Sequence, residues 1–222
     1  GIEGFFLDFG GDPNKGPAHW SHTLKFYLKA AEGTPFEVAL CMDTKISKEY
    51  WVGELKRLLK ENGDHPNYPK FNGKYVVCTY QFLQWENQQP NGWTIGEWKE
   101  LRAEMKEAGF DLYIIANFAP LPNEKLNIDR LERAKETFDC VYLFDAPGHC
   151  DETPEVNNKK LAKFCKENGK LFMGCLHPGY YGAWLWGFND FYNPFRGTDM
   201  LHRMFMDAMK HKSQWLHVTT WN

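Results

Sequence analysis

Three aspartates, Asp8, Asp43 and Asp145, each stand at the end of a short apolar run. Carboxylates placed this way among aromatic residues suit glycoside hydrolysis. One acid protonates the leaving oxygen while a second carboxylate activates water or attacks carbon, and their separation decides inversion or retention. Asp43 is the candidate for that chemistry, with Asp8 and Asp145 as candidate substrate contacts. An aspartate at a strand end also serves to cap the following helix or to accept from a backbone N–H, so both uses stay open. Asp12, in Gly10-Gly11-Asp12-Pro13, reads as a turn residue.

The remaining apolar runs also close on polar or aromatic residues: Tyr80 with Gln81, Asn117, His177 and Asn222. Aromatics make up 16% of the 222 residues, with nine Trp, ten Tyr and 17 Phe. Many fall outside the apolar runs, as Trp85, Trp93 and the stretch Tyr180-Tyr181-Gly182-Ala183-Trp184-Leu185-Trp186 do. Sugar rings offer apolar C–H faces that stack on such rings, although aromatics equally fill cores. Candidate glycan contacts are therefore Tyr80, Gln81, Trp85, Asn117, His177, Tyr180, Tyr181, Trp184 and Asn222. His177, ahead of Pro178-Gly179, suits either a sugar hydroxyl or a structural hydrogen bond.

Other chemistries find little support. The six cysteines show no CxxC and no metal-ligand spacing, and Cys41, Cys78, Cys140 and Cys175 sit in strand-like runs where a thiol behaves as a small hydrophobe. His65, His149 and Asp151 lack the pairing of a metal set, so neither metal nor cofactor is expected. No G-x-S-x-G elbow occurs. No strand ends in the lysine of a Schiff-base aldolase, and no phosphate loop follows the first strand. A formal net charge of -3 without a Lys/Arg cluster argues against nucleic acid, and no apolar run is long enough to span a bilayer.

These residues need a scaffold that brings strand ends together. The strand candidates are 4–7, 36–42, 74–80, 112–118, 140–144, 171–176 and 216–221, several of them apolar on both faces as parallel strands covered by helices are. Between them, Trp51, Leu55, Leu58 and Leu59 mark one helical face, and Trp98, Leu101, Met105 and Ala108 another. Thr94 and Glu97 form a capping-box pattern, and Thr153-Pro154-Glu155 opens a further helix. Gly33, Gly63, Gly109 and Gly169 follow helices, where a left-handed cap is expected. Alternating strands and helices give a parallel sheet. Polar residues at all seven strand ends favour a closed (β/α)8 TIM barrel, whose C-terminal face carries the active site, over an open sheet with one switch point. A complete barrel takes about 250 residues. The expectation is one domain over 1–222, with strands 2–8 present and further chain on both sides.

With these features in hand, the sequence resembles glycoside hydrolase family 71, the α-1,3-glucanases or mutanases. Gly1-Ile2-Glu3-Gly4-Phe5-Phe6-Leu7-Asp8 looks like that family's second strand. Residues 36–43 look like its third, which ends in a functional aspartate that Asp43 matches. Asn72-Gly73-Lys74-Tyr75-Val76-Val77 resembles the fourth. Gly169-Lys170-Leu171-Phe172-Met173 with Pro178-Gly179-Tyr180-Tyr181 resembles the seventh, and Val218-Thr219-Thr220-Trp221-Asn222 the eighth. The chain departs from the pattern in carrying Asp8 where the family has asparagine, and Asp145-Ala146-Pro147-Gly148 at the sixth strand end.

The resemblance implies an α-glucan-cleaving barrel, with Trp221 lining the subsites and the catalytic acid pair in the residues after Asn222. It further implies a polysaccharide or oligosaccharide substrate, a monomer, and an extracellular or periplasmic location. Family 99, the endo-α-mannosidases and mannanases, places two glutamates after a similar tryptophan–asparagine and is the second resemblance. A barrel that binds glycan without cleaving it is the alternative of another class.

Overall fold

The computed structural model describes residues 3–9, 23–43, 47–80, 82–83, 93–118, 125–144, 154–176, 180–181, 192–193 and 199–218. They fall into two compact units: residues 1–116 with 136–138, and residues 117–135 with 139–222.

The first unit alternates β1 (Gly4–Phe9), α1 (Thr23–Ala31), β2 (Glu37–Asp43), α2 (Lys48–Asn62), β3 (Lys70–Phe71), β4 (Lys74–Tyr80), α3 (Ile95–Glu107) and β5 (Leu112–Asn117). Strand β5 runs one residue past the unit's end. β1, β2, β4 and β5 are parallel neighbours in chain order, as the strand–helix alternation predicts. β3 is an addition. It pairs antiparallel with β4 across Asn72-Gly73, both at positive φ (51° and 77°), the conformation that an Asn-Gly hairpin turn requires. The dipeptide carried that signal, but it lies inside what the sequence suggests is one strand approach.

Strand alternation sorts the sheet's two faces. Phe5 shares a register face with Val38, Leu40 and Val77, and its ring meets Tyr27 of α1 edge-on at 5.1 Å. That face is the helix side. Phe6, Asp8, Ala39, Cys41, Cys78 and Tyr80 belong to the opposite face.

The helices follow their patterns. In α2, Ser47 accepts from Tyr50 N at 3.3 Å, and Trp51, Leu55, Leu58 and Leu59 are buried. In α3 both halves of the capping box form: Glu97 N donates to Thr94 Oγ1 at 3.2 Å and Thr94 N to Glu97 Oε2 at 2.7 Å. Trp98, Leu101 and Met105 are buried. Ala108, expected on the same stripe, is exposed because the helix has already given way to its cap. Lys48 of α2 bridges to Glu100 and Glu104 of α3 at 2.8 and 2.9 Å, and those carboxylates hold its ammonium above the usual lysine range. Trp93 is also a core residue: its ring lies 4.5 Å from that of Trp98, which meets Phe82 at the same distance.

Three of the four helix-terminal glycines are left-handed as expected, Gly33, Gly109 and Gly169 at φ 76°, 89° and 63°. Gly63 is not. Its φ of -65° is ordinary helical backbone, and the position is small for a different reason. A Cβ there would lie 2.6 Å from Leu59 O and 2.7 Å from Tyr75 Cε1.

The second unit contains α4 (Ile128–Ala134), β6 (Cys140–Tyr142), α5 (Pro154–Asn168), β7 (Leu171–Leu176), β8 (Tyr180–Tyr181), β9 (Tyr192–Asn193), α6 (Asp199–Lys210) and β10 (Trp215–Val218). β6, β7 and β10 are parallel, whereas β8 and β9 form a separate antiparallel pair. Pro154 and Glu155 open α5 as expected; Thr153 lies outside the described residues. Close packing sets α6 on β7: a Cβ on Gly174 would lie 2.6 Å from that of Ala208. Ser213 locks the approach to β10: its hydroxyl accepts from Gly174 N at 2.6 Å and shares its one hydrogen between the carbonyls of Trp215 (2.6 Å) and Phe172 (3.2 Å).

Cys41, Cys78, Cys140, Cys165 and Cys175 are buried thiols outside any disulfide; Cys150 lies outside the described residues. Burial pushes the Cys165 thiol up to about 12, so it stays protonated and unreactive.

Candidate functional site

In the first unit the parallel register stacks the strand ends in rows. Asp8 pairs with Cys41, and Cys41 with Cys78. One pleat further along, Asp43 pairs with Tyr80. Two of the five predicted site residues on this unit, Asp8 and Tyr80, can be described in full. Asp8 is exposed and Tyr80 half-buried, both on the sheet face away from α1. The polar chemistry thus begins where the apolar rows of Ala39, Cys41, Val76 and Cys78 end. For Asp43 the backbone is strand and the register is as stated, while its side chain lies outside the described residues.

In the second unit Asn117 closes β5. It is fully buried, and its Oδ1 accepts from Phe144 N at 3.1 Å, while Phe118 N donates to Tyr142 O at 2.9 Å. Its amide oxygen is therefore engaged in holding the end of β6. Tyr180 and Tyr181 pair through their backbones with Asn193 and Tyr192, so the aromatic stretch begins on a short ribbon. Their side chains, with Gln81, Trp85, Asp145, His177, Trp184, Trp221 and Asn222, lie outside the described residues.

Sequence reasoning missed one pair. Gly174, Leu176, Leu216 and Val218 share a register face, and the packing of Gly174 on Ala208 makes it the α6 side. Tyr142, Met173, Cys175 and His217 take the other face. There the His217 ring stands edge-on to buried Tyr142, centroids 5.0 Å apart at 83°. Strand alternation through Cys175 and its partner was the available signal. Burial lowers the His217 pKa to about 4, leaving a neutral imidazole at neutral pH.

That shift has a definite sign. Between the ordinary histidine value and about 4, the unfolded chain binds the proton that the folded chain excludes. Stability therefore falls as pH drops through this window, by about 2 kcal/mol at pH 5 relative to pH 7. Urea unfolding at the two pH values should show His217→Asn losing less stability on acidification than the parent. Equal losses would remove His217 as the cause.

Among the described residues no group of three or more His, Cys, Asp or Glu could hold a metal ion. Nor is any helix there long and apolar enough to cross a membrane.

Comparison with known proteins places the chain. Its fold is similar to that of the family 99 endo-α-mannosidase from Bacteroides thetaiotaomicron, with a TM-score of 0.77 and 18% identity over 100% of this chain and 62% of that one. A second structure of that enzyme, in complex with bis-tris-propane, gives the same TM-score and identity over 100% of this chain and 66% of its own. A glycoside hydrolase-like protein follows at TM-score 0.65 and 13% identity, covering 100% of this chain and 72% of that one. No curated protein matches the sequence. The chain thus spans less than two thirds of the length of the two mannosidase structures. The likeness shows the fold class to be that of the (β/α)8 barrel, of which β1, β2, β4, β5, β6, β7 and β10 are the seven parallel strands. The profile of Glycosyl hydrolase family 71 matches from residue 1 to residue 222, and the chain belongs to that family.

Proposed function

We propose that this chain forms the substrate-binding wall of an endo-acting glycosidase that cleaves α-1,3-glucan by carboxylate acid/base chemistry. The family match over the whole of residues 1–222 carries this reading. Asp43 supports the positive charge that develops on the sugar ring as the glycosidic bond breaks, a role that strand-end carboxylates in a water-poor cleft serve well. Tyr80 and Asp8, on the same sheet face, hydrogen-bond sugar hydroxyls. Gln81, Trp85, Asp145, His177, Tyr180, Tyr181, Trp184, Trp221 and Asn222 complete the subsites, the aromatics by stacking on C–H faces, while the fully buried Asn117 holds the end of β6 rather than touching sugar. The protein acts as an exported monomer and requires no metal or cofactor.

A second reading, an endo-α-mannanase, draws on the fold shared with the Bacteroides thetaiotaomicron endo-α-mannosidase. Incubating the whole protein with α-1,3-glucan and with α-mannan, and measuring released reducing ends, separates the two. Glucan cleavage is the expected result, and cleavage of mannan alone transfers the activity to the second reading. Binding of either glycan without turnover would make the barrel a recognition module. Silence on both in turnover and in binding rejects the glycan assignment.

A further inference from the structure

We propose that Asn117 is a positioning residue of the cleft: its amide oxygen sets the line on which the chain leaves β6 and so places Asp145, the residue after Phe144. β6 has three residues, Cys140–Tyr142, while β5 and β7 have six each. Its register with β7 runs to Tyr142 and Met173, and β7 goes on through Gly174, Cys175 and Leu176. Asp145 thus follows a strand that stops before β7 does. The role rests on the reading of Asp145 as a subsite residue of the proposed glycosidase.

What holds the chain past Tyr142 is a side chain. A parallel ladder alternates its donors between the two strands at even spacing. Phe118 N donates to Tyr142 O at 2.9 Å, so the next rung of a regular ladder would run from Phe144 N to the carbonyl of Phe118. At that place Phe144 N donates to Asn117 Oδ1, at 3.1 Å. The accepting oxygen belongs to a fully buried residue that closes a strand buried along its whole length, so packing fixes it. An amide in such a place is unfavourable unless it is hydrogen-bonded, and an apolar residue would fill the same space without that demand. What the amide adds is a defined course for Leu143, itself buried, and Phe144. Asp145 inherits that course, because one trans peptide fixes its Cα about 3.8 Å from that of Phe144.

The test is a double-mutant cycle in the whole protein, read by calorimetric affinity for an α-1,3-linked gluco-oligosaccharide and, in parallel, for an α-mannan oligosaccharide, and by kcat and KM on the glycan that binds. Asn117→Leu and Asp145→Asn should each weaken binding about tenfold and raise KM in step, with kcat nearly unchanged. Together they should weaken it little more than either alone, because a misplaced aspartate and a missing one lose the same contact. Asn117→Asp keeps an accepting oxygen at the same reach and should recover most of the lost affinity. A residue that serves folding alone would lower the unfolding midpoint and leave the affinity of the folded protein where it was. Losses that multiply in the double variant, an aspartate variant as weak as the leucine one, or an Asp145→Asn protein that binds as the parent does would each overturn the positioning role while the glycan reading stands. A parent that binds neither oligosaccharide overturns both. Hydrogen exchange decides the matter if the leucine variant does not fold: the Phe144 amide of the parent should exchange about as slowly as that of Phe118, and free exchange there would overturn the role.

Discussion

Asn67→Ala is expected to destabilise the chain by about 3 kcal/mol, a drop of roughly 6–12 °C in the thermal midpoint. Asn67 is 4% exposed and sits at the crossing of three backbone segments. Its Nδ2 lies 3.0, 2.9 and 2.9 Å from the carbonyl oxygens of Ala31, Thr34 and Phe36. Its own carbonyl accepts from Val38 N at 2.9 Å. One amide thus ties the end of α1 and the entry to β2 to the segment before β3. Removing it takes this donor from the part-buried Thr34 and Phe36 carbonyls, while Ala31 O keeps Thr34 Oγ1 and N at 2.7 and 3.0 Å; losing the donor costs more than the net worth of the bonds. Asn67→Asp should be worse than alanine, because a carboxylate has no hydrogen to give and would face the same three oxygens with its charge. Urea and thermal unfolding of both variants check the order. An aspartate variant as stable as the alanine one would show that the carbonyls find other donors.

Asp43→Asn should lower kcat/KM of the whole enzyme on its glycan by about 10²–10³-fold while leaving the unfolding transition in place. The substitution keeps size and removes charge at a strand end, so the folded core has little to lose. If the carboxylate acts on the developing positive charge, the loss falls on kcat; if it only orients bound sugar, KM rises instead. Tyr80→Phe, at the register partner of Asp43, provides the scale for a single hydroxyl contact and should cost about tenfold. An Asp43→Asn enzyme with parent kcat/KM would remove Asp43 from the chemistry and direct attention to Asp8 and Asp145.

Much of the scaffold was legible because local patterns and tertiary packing agree. Apolar runs rich in Val, Ile and Phe became parallel strands, and the stripes Trp51–Leu55–Leu58–Leu59 and Trp98–Leu101–Met105 became buried helix faces. The Thr94–Glu97 box formed both of its hydrogen bonds. These features rest on interactions within a few residues, which composition and spacing encode directly. Trp93 misled for the opposite reason. It lies outside the regular elements, yet ring packing against Trp98 buries it, and no local pattern announces a partner that its own helix supplies.

The order of strands and helices, the helix caps and the polar character of the strand ends are properties of the sequence alone, since each depends on near neighbours or on hydrophobic period. Register, facing and burial were decided only by the tertiary structure. Gly63 is held to its small size by the Leu59 carbonyl and the ring of Tyr75 rather than by a left-handed backbone. Asn117 spends its amide oxygen on Phe144, and His217 meets Tyr142 across a strand. The Cys41–Cys78 adjacency depends on how two strands 37 positions apart align. Contacts of that separation are chosen by packing the whole sheet, and no local stretch of chain contains them.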